Sequence, residues 1–194
     1  DFPFYLVQLA PGLGENLPLF WEAQARTLSI KNTGIVSTND IGGDPVHPSD
    51  KRGVGERLAL WALAKDYGRD GSFSGPTFKS MSVEGHMIRV KFDHVGSGLK
   101  TRNNEAISGF EISGDGKFYP AKAIIDGKTV LVASKKVPNP ALVRLGWNHL
   151  SNTNLQNNDG LPAFPFRTGS SAPEIGGKRL FSNSSTINLK PIES

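Results

Sequence analysis

The 194-residue chain contains no cysteine and only four histidines. Without cysteine it can form no disulfide framework, no thiolate nucleophile and no cysteine-ligated zinc site. No apolar run approaches the roughly 18 residues of a membrane-spanning helix, so we expect no membrane partner. The 22 Lys and Arg residues are scattered and the net charge is +4, which disfavours nucleic acid as a partner.

Glycine and proline are abundant, with 22 and 13 residues, and they indicate many turns between short elements. An apolar content of 37% and a charged content of 21% are typical of a globular protein, and the length suits one large domain or two small ones. The opening Asp1-Phe2-Pro3 is not a natural translation start, and the next residues lack the features of a signal peptide. We therefore expect a portion of a longer protein.

The first 70 residues alternate between strand and helix patterns. Residues 4–9 are almost continuously apolar, as in a strand buried on both faces of a parallel sheet. A helix is predicted over 18–28 and a second strand over 34–39. The longest helix is predicted to follow Ser49 as its N-cap and to end near Gly68. This order predicts the end of an α/β domain with a parallel sheet, spanning 1–70.

Beyond a predicted linker at 71–77 the hydrophobic period changes from helical to alternating, which predicts an antiparallel β-sandwich-like region over 78–168. The fold class is therefore α/β plus β. Asp126-Gly127-Lys128 is the strongest hairpin signal. Residues 169–194 are predicted to form a polar tail or an edge strand. The predicted strands are 88–92, 107–112, 119–125, 129–133 and 141–145.

One histidine lies where α/β proteins place their active sites. His47 follows the second predicted strand and precedes the long helix, with Asp44 three residues before it. Pro45 and Pro48 stiffen the segment. A carboxylate could fix the tautomer of the imidazole, whose other nitrogen could then take a proton from a hydroxyl nucleophile. The spacing alone also fits an aspartate turn beside a surface histidine.

The other histidines and the tryptophans carry weaker signals. His86 and His94 are not accompanied by the carboxylates of a metal site, so we expect neither metal nor cofactor. His149 fits an ordinary surface histidine. Trp61 falls on the apolar face of the long helix and is predicted to be core, whereas Trp147 fits either a core residue or a platform for a sugar ring.

Several segments in combination resemble the sialate O-acetylesterase family, carbohydrate esterases of the SGNH hydrolase superfamily. The resemblance centres on Asp44 to Lys51 with Val54 to Ala64, and it extends over roughly residues 1–168. The further matching segments are Pro3 to Ala10, Ala23-Gln24, Asn32 to Gly34, Asn154 to Asn157 and Gly160 to Thr168.

The resemblance implies that His47 is a general base and Asp44 its orienting carboxylate. It implies the hydrolysis of O-acetyl esters on sugars, sialic acids among them, through an acetyl-serine. The serine and the oxyanion donors of that family belong to an N-terminal half absent from this sequence, so the expected partners are an O-acetylated carbohydrate and that half. The chain alone should be nearly inert. A periplasmic or secreted location is also implied.

No serine of this chain replaces the missing nucleophile. Ser72 and Ser74 have the wrong spacing for a Gly-x-Ser-x-Gly elbow, and Ser97 and Ser108 lie in turn-like sequence. Two alternatives therefore stay open. The β-region could be a non-catalytic carbohydrate-binding or structural module on an α/β scaffold, or the chain could be a pseudoenzyme that has lost its esterase half.

Overall fold

The structure is a computed structural model that describes residues 2–42 and 47–169, together with two short strands further along the chain. The first part of the chain contains two helices, a 3-10 turn and two strands. They are β1 (Phe4–Val7), α1 (Leu17–Arg26), the 3-10 turn (Thr27–Ser29), β2 (Thr33–Val36) and α2 (Lys51–Lys65).

The second part is built of short strands. They are β3 (Thr77–Glu84), β4 (Met87–Asp93), β5 (Leu99–Thr101), β6 (Phe110–Ser113), β7 (Tyr119–Pro120), β8 (Lys122–Asp126), β9 (Thr129–Ala133), β10 (Leu142–Leu145), β11 (Leu155–Asn157), β12 (Phe166–Arg167), β13 (Glu174–Ile175) and β14 (Lys178–Arg179).

Strands β1 and β2 pair in parallel, with Phe4 opposite Thr33 and Val7 opposite Val36. The predicted order of strand, helix, strand and helix is therefore observed. The expectation that β1 is buried on both faces is wrong, because Phe4 is exposed and the next three residues are half-buried. In the described part of the chain β1 has a strand neighbour on one side only, so its other edge is not covered by a sheet.

Helix α2 begins one residue later than the sequence predicts. The N-cap is Asp50 rather than Ser49, because the Asp50 carboxylate accepts a hydrogen bond of 2.8 Å from the Gly53 N–H. The segment after the helix contains Gly68 with a φ of +61°, the left-handed conformation that glycine tolerates best.

Trp61 is the buried anchor of α2, as predicted, with 5% of its surface exposed. Its ring lies 4.7 Å from that of Phe73 and 6.1 Å from that of Tyr5. A Cβ atom at Gly34 would lie 2.6 Å from the Trp61 ring, so glycine on β2 is what lets the helix approach the strand pair this closely.

The β-region consists mostly of antiparallel sheets, which confirms the β-rich part of the fold prediction. Two four-stranded sheets have the orders β3-β4-β9-β8 and β12-β10-β6-β7, and β5 pairs with β11. Both sheets contribute to one hydrophobic core. Its fully buried members include Ile88, Val90, Ile112, Val130, Val132, Val143 and Leu145.

The predicted hairpin at Asp126-Gly127-Lys128 is present, since Asp126 pairs with Thr129 across a turn in which Gly127 has a φ of +59°. In the predicted tail, β13 and β14 pair antiparallel. The other residues of that tail beyond Gly169 lie outside the described residues. No helix in the described part of the chain is long and apolar enough to cross a membrane.

The predicted linker packs firmly between the two parts of the chain. Ser74, Gly75 and Pro76 are buried, and the Asn157 amide donates to the carbonyls of Ser74 and His94 at 3.1 Å each. A Cβ atom at Gly75 would overlap the carbonyl of Pro162. The Asn157 amide and close backbone contacts therefore hold the linker to the β-region.

Candidate functional site

The polypeptide that leaves β2 is polar but buried. Ser37, Thr38 and Asn39 each expose 3% of their surface or less. The Thr38 hydroxyl donates to the Gln8 carbonyl at 3.0 Å, and the Asn39 amide donates to the Ala163 carbonyl at 3.1 Å. Because buried polar groups are stable only when hydrogen-bonded, these contacts fix the loop to β1 on one side and to the β-region on the other.

A buried ion pair joins this loop to α2. The Arg57 guanidinium donates to both carboxylate oxygens of Asp40, at 2.7 and 2.6 Å, and also to the Ser37 carbonyl at 2.7 Å. The side chains of Arg57 and Asp40 are 13% and 6% exposed. Such a bidentate pair in a poorly hydrated setting is strong and geometrically specific. Sequence reasoning did not find it.

His47 lies after this anchored loop and three residues before the Asp50 N-cap of α2. It belongs to the segment that leaves the carboxyl end of β2, the edge at which the sequence predicts an active site, and its role there stays a prediction. Its side chain is exposed and makes no hydrogen bond with the residues that the structure describes. Asp44, the other predicted site residue, lies outside the described residues.

A loop of the β-region reaches the same edge. The N–H of Gly12, which follows β1, donates to the His149 carbonyl at 2.7 Å. Nearby, Trp147 is half-buried, and the Arg167 guanidinium lies 4.9 Å from the centre of its ring. Arg167 in turn forms an ion pair of 2.9 Å with Glu22 on α1.

Trp147 therefore lies at the boundary between the two parts of the chain, rather than in the core of the β-region. It lines an open cleft of about 460 Å³. Exposed amides lie in the same wall, those of Asn148 and Asn152. The cleft has the mixed aromatic and amide lining that suits polar ligands with apolar faces.

Side chains of α1 occupy the outer edge of β1. The Gln24 carboxamide accepts from the Leu9 N–H at 3.1 Å and donates to the Val7 carbonyl at 3.3 Å. The Trp21 indole donates to the Leu9 carbonyl at 2.7 Å. Gln24 therefore satisfies backbone groups of the kind that a neighbouring strand would pair with, but only at the Val7 end of β1. The outer edge of β1 has no such partner beside Tyr5 in the described part of the chain.

Gln8, next to this edge, is buried and unpaired. It exposes 1% of its surface, and neither polar atom of its carboxamide has a hydrogen-bond partner in the described part of the chain. Leaving such a buried group unsatisfied costs roughly 1 to 3 kcal/mol.

Most of the exposed large hydrophobic residues of the described chain lie in the α/β part. The exposed large hydrophobic residues there are Phe2, Phe4, Leu13, Phe20, Ile30, Leu63 and Tyr67.

The opposite end of the strand pair carries a different cluster. The Tyr5 hydroxyl donates to Asp66 at 2.6 Å, and partial burial together with that carboxylate raises the pKa of Tyr5 to about 12. His94 has a φ of +60° and packs edge-on against Phe73, and loss of hydration lowers its pKa below the usual value. Tyr5 is the second residue of β1, so this cluster lies at the amino end of the strand pair.

The two remaining histidines are not drawn into a site. His86 is exposed at the turn between β3 and β4, and His149 meets Gly12 through its backbone carbonyl. Within the described ranges no group of three or more His, Asp or Glu side chains could hold a metal ion.

One solved structure with this fold is that of a carbohydrate acetylesterase from Xanthomonas citri. The two chains share 42% sequence identity with a TM-score of 0.81, over 87% of this chain. This chain is similar to a carbohydrate acetylesterase. It spans 41% of the length of that structure. No protein-family model and no curated protein matches it. The similarity supports the carbohydrate esterase family to which the sequence motifs pointed.

Proposed function

We propose that this chain is the C-terminal portion of a serine carbohydrate esterase with an SGNH-type parallel sheet, which hydrolyses O-acetyl esters on sugars such as sialic acid. The observation that carries the proposal is the 42% identity to a carbohydrate acetylesterase over 87% of this chain. The proposal is also supported by the position of His47 in the segment between β2 and α2, which follows the carboxyl end of a parallel strand pair.

In this proposal His47 is the general base and Asp44 orients its ring. The serine oxygen attacks the acetyl carbonyl carbon while its proton passes to one nitrogen of His47. The bond from that carbon to the sugar oxygen then breaks, and the sugar oxygen takes the proton from His47. A water molecule, deprotonated by the same nitrogen, attacks the acetyl-serine, and acetate leaves as the serine recovers its proton.

The serine is proposed to lie on an N-terminal half that covers the open face of the α/β part. Two features support such a partner: the outer edge of β1 beside Tyr5, and the exposed apolar residues of the α/β part. An added parallel strand would pair with the edge, and its neighbours would bury the apolar side chains. A chain spanning 41% of the acetylesterase leaves ample length for that half.

The β-region is proposed to support the catalytic loop rather than to act as an independent module. Ala163 accepts the hydrogen bond of Asn39, and the His149 loop accepts that of Gly12. Both contacts brace backbone that follows the carboxyl ends of β1 and β2.

The decisive experiment measures acetate release by this chain alone and after mixing with the N-terminal half of the same protein. Suitable substrates are O-acetylated sialic acid, acetylated xylan and p-nitrophenyl acetate. We expect the mixture to be active and the chain alone to be slower by a factor on the order of 10⁶. Native mass spectrometry of the mixture should show both polypeptides in one complex.

The site residues are tested by variants of the reconstituted enzyme. His47→Ala should lower turnover by a factor on the order of 10⁶, and Asp44→Asn by roughly 10⁴-fold. His149→Ala is the matched control, because His149 contacts the site edge only through its backbone, and it should leave turnover unchanged. A His47→Ala enzyme with the turnover of the unmodified complex would refute the assignment, and activity on xylan alone would refute sialic acid as substrate.

A further inference from the structure

An open cleft of about 730 Å³ lies on the β-region where β8 begins and β9 ends. Its position follows from the pairing of Lys122 with Ala133. Its volume falls in the range of about 300 to 1,000 Å³ that is usual for ligand sites. The walls combine stiff prolines with cationic side chains, namely Pro120, Pro138, His86, Lys122, Lys135 and Lys136.

In the described part of the β-region four cationic side chains form ion pairs with carboxylates, and the lysines of this cleft are not among them. Lys79 pairs with Asp93 at 2.7 Å, and Arg144 with Glu111 at 2.8 Å. By contrast, the lysines in and beside the cleft are exposed and pair with no carboxylate of the described residues. This group, called the lysine cleft below, consists of Lys117, Lys122, Lys135 and Lys136.

Two of these lysines make cation–π contacts with Tyr119. The ammonium groups of Lys117 and Lys136 lie 5.3 and 5.8 Å from the centre of its ring. The ring is half-buried against the core, and Tyr119 is fixed by its pairing with Ile112. Like charges brought to one ring repel each other, and a concave surface of one sign concentrates the field. The arrangement therefore favours an anion that bridges several lysines.

We propose that the lysine cleft binds an acidic carbohydrate chain through the carboxylates of successive uronic acid units. A nucleic acid is disfavoured because the one aromatic ring is half-buried beneath two ammonium groups and offers no platform for base stacking. A lipid surface is disfavoured because the cationic groups line a concave cleft rather than a flat face. The choice of a carbohydrate over an acidic peptide rests on the proposed function.

The test is calorimetric titration of the protein with tetragalacturonate at low and at physiological ionic strength. Its methyl ester is the matched ligand, since it keeps the rings and removes the charges. The acid should bind, and the ester should bind about tenfold more weakly because charge-assisted hydrogen bonds to the lysines are lost. Raising the salt concentration should weaken binding of the acid.

The protein variants are K135E/K136E and Lys122→Gln, with Lys91→Glu as the control. Lys91 is exposed on the same sheet, but it pairs with Thr129, four positions along β9 from Ala133, or roughly 13 Å away. K135E/K136E should weaken binding by about tenfold or more and Lys122→Gln by a few-fold, whereas Lys91→Glu should change it by less than about twofold. Unchanged thermal unfolding midpoints confirm that the variants are folded.

Four results would overturn the proposal: no binding of the acid, equal binding of the ester, an equal loss with Lys91→Glu, or tighter binding of oligoglutamate or single-stranded DNA of equal charge. The titration involves no acetate release, so its failure leaves the esterase proposal standing. An inactive reconstituted enzyme that still binds tetragalacturonate would refute only the esterase.

Discussion

Replacing Arg57 with methionine should destabilise the protein far more than the same change at Arg52. Both arginines lie on α2, and each contacts a carboxylate at 2.6 to 2.7 Å. They differ in their surroundings. The pair of Arg57 with Asp40 is 13% and 6% exposed, whereas the pair of Arg52 with Glu56 is 88% and 62% exposed.

The expected magnitudes follow from that difference. Breaking a buried pair leaves the Asp40 carboxylate without its partner in a poorly hydrated site, at a cost of about 3 to 5 kcal/mol. An exposed helical pair contributes about 1 kcal/mol or less. For a chain of this length, each kcal/mol corresponds to roughly 2 to 4 °C, so Arg57→Met should lower the unfolding midpoint by about 6 to 20 °C.

Urea and thermal unfolding, followed by circular dichroism, would measure both variants. Adding Asp40→Leu to Arg57→Met should recover part of the lost stability, because it removes the uncompensated carboxylate. The reasoning would be refuted if Arg57→Met and Arg52→Met lowered the free energy of unfolding by amounts that agree within about 1 kcal/mol. It would also be refuted if adding Asp40→Leu to Arg57→Met lowered that free energy by as much as Asp40→Leu does alone.

Three further changes test the fold. Gly34→Ala should lower the free energy of unfolding, measured in urea, by about 2 kcal/mol or more, because the new Cβ would lie 2.6 Å from the Trp61 ring. The control is Gly55→Ala on helix α2. A Cβ there would have no neighbour within 4 Å, so this change should stabilise the protein by about 0.5 to 1 kcal/mol. Burial lowers the pKa of the His94 imidazole below 6.5, so the unfolded protein binds a proton at this histidine at a higher pH than the folded protein does. The free energy of unfolding should therefore fall as the pH drops below 6.5, and His94→Asn should make that fall less steep. Asn157→Leu should cost about 3 kcal/mol or more, measured by thermal unfolding, because the buried amide serves three backbone groups.

Each of these has a result that would contradict it. A stabilising Gly34→Ala would mean that the helix does not lie against β2 at this distance. An identical pH slope in His94→Asn would mean that the imidazole is freely hydrated. An Asn157→Leu protein as stable as the parent would show that the three backbone groups find other partners.

Local chemistry explains which elements the sequence predicts. The turn at Asp126-Gly127 depends on a residue that tolerates positive φ, and in strands β8 and β9 on either side buried residues alternate with more exposed ones. The parallel pair of β1 and β2 follows from apolar runs separated by a helix. Strand β3 has no clear pattern in the sequence, because its burial does not alternate cleanly and several of its side chains face solvent.

Two prolines and the junction of a strand with a helix lead the sequence analysis to His47, and that assignment stays a prediction. The contacts that hold the approach to it depend on residues far apart in the sequence, since Asp40 and Arg57 are separated by a whole loop and no local pattern pairs them. For the same reason, the resemblance motif containing Asn157 did not indicate that its amide holds the backbone at Ser74 and His94.

The hydrogen bond from Asn39 to Ala163 spans 124 positions of the chain. Contacts so distant in sequence form late, because the intervening chain must first lose most of its conformational freedom. During synthesis the loop before His47 emerges long before Ala163. The backbone of this loop can therefore be fixed only after the last β-strands have been made. Completion of the loop would therefore report that the whole β-region has folded, and a chain truncated before Ala163 would keep its helices without a properly formed loop.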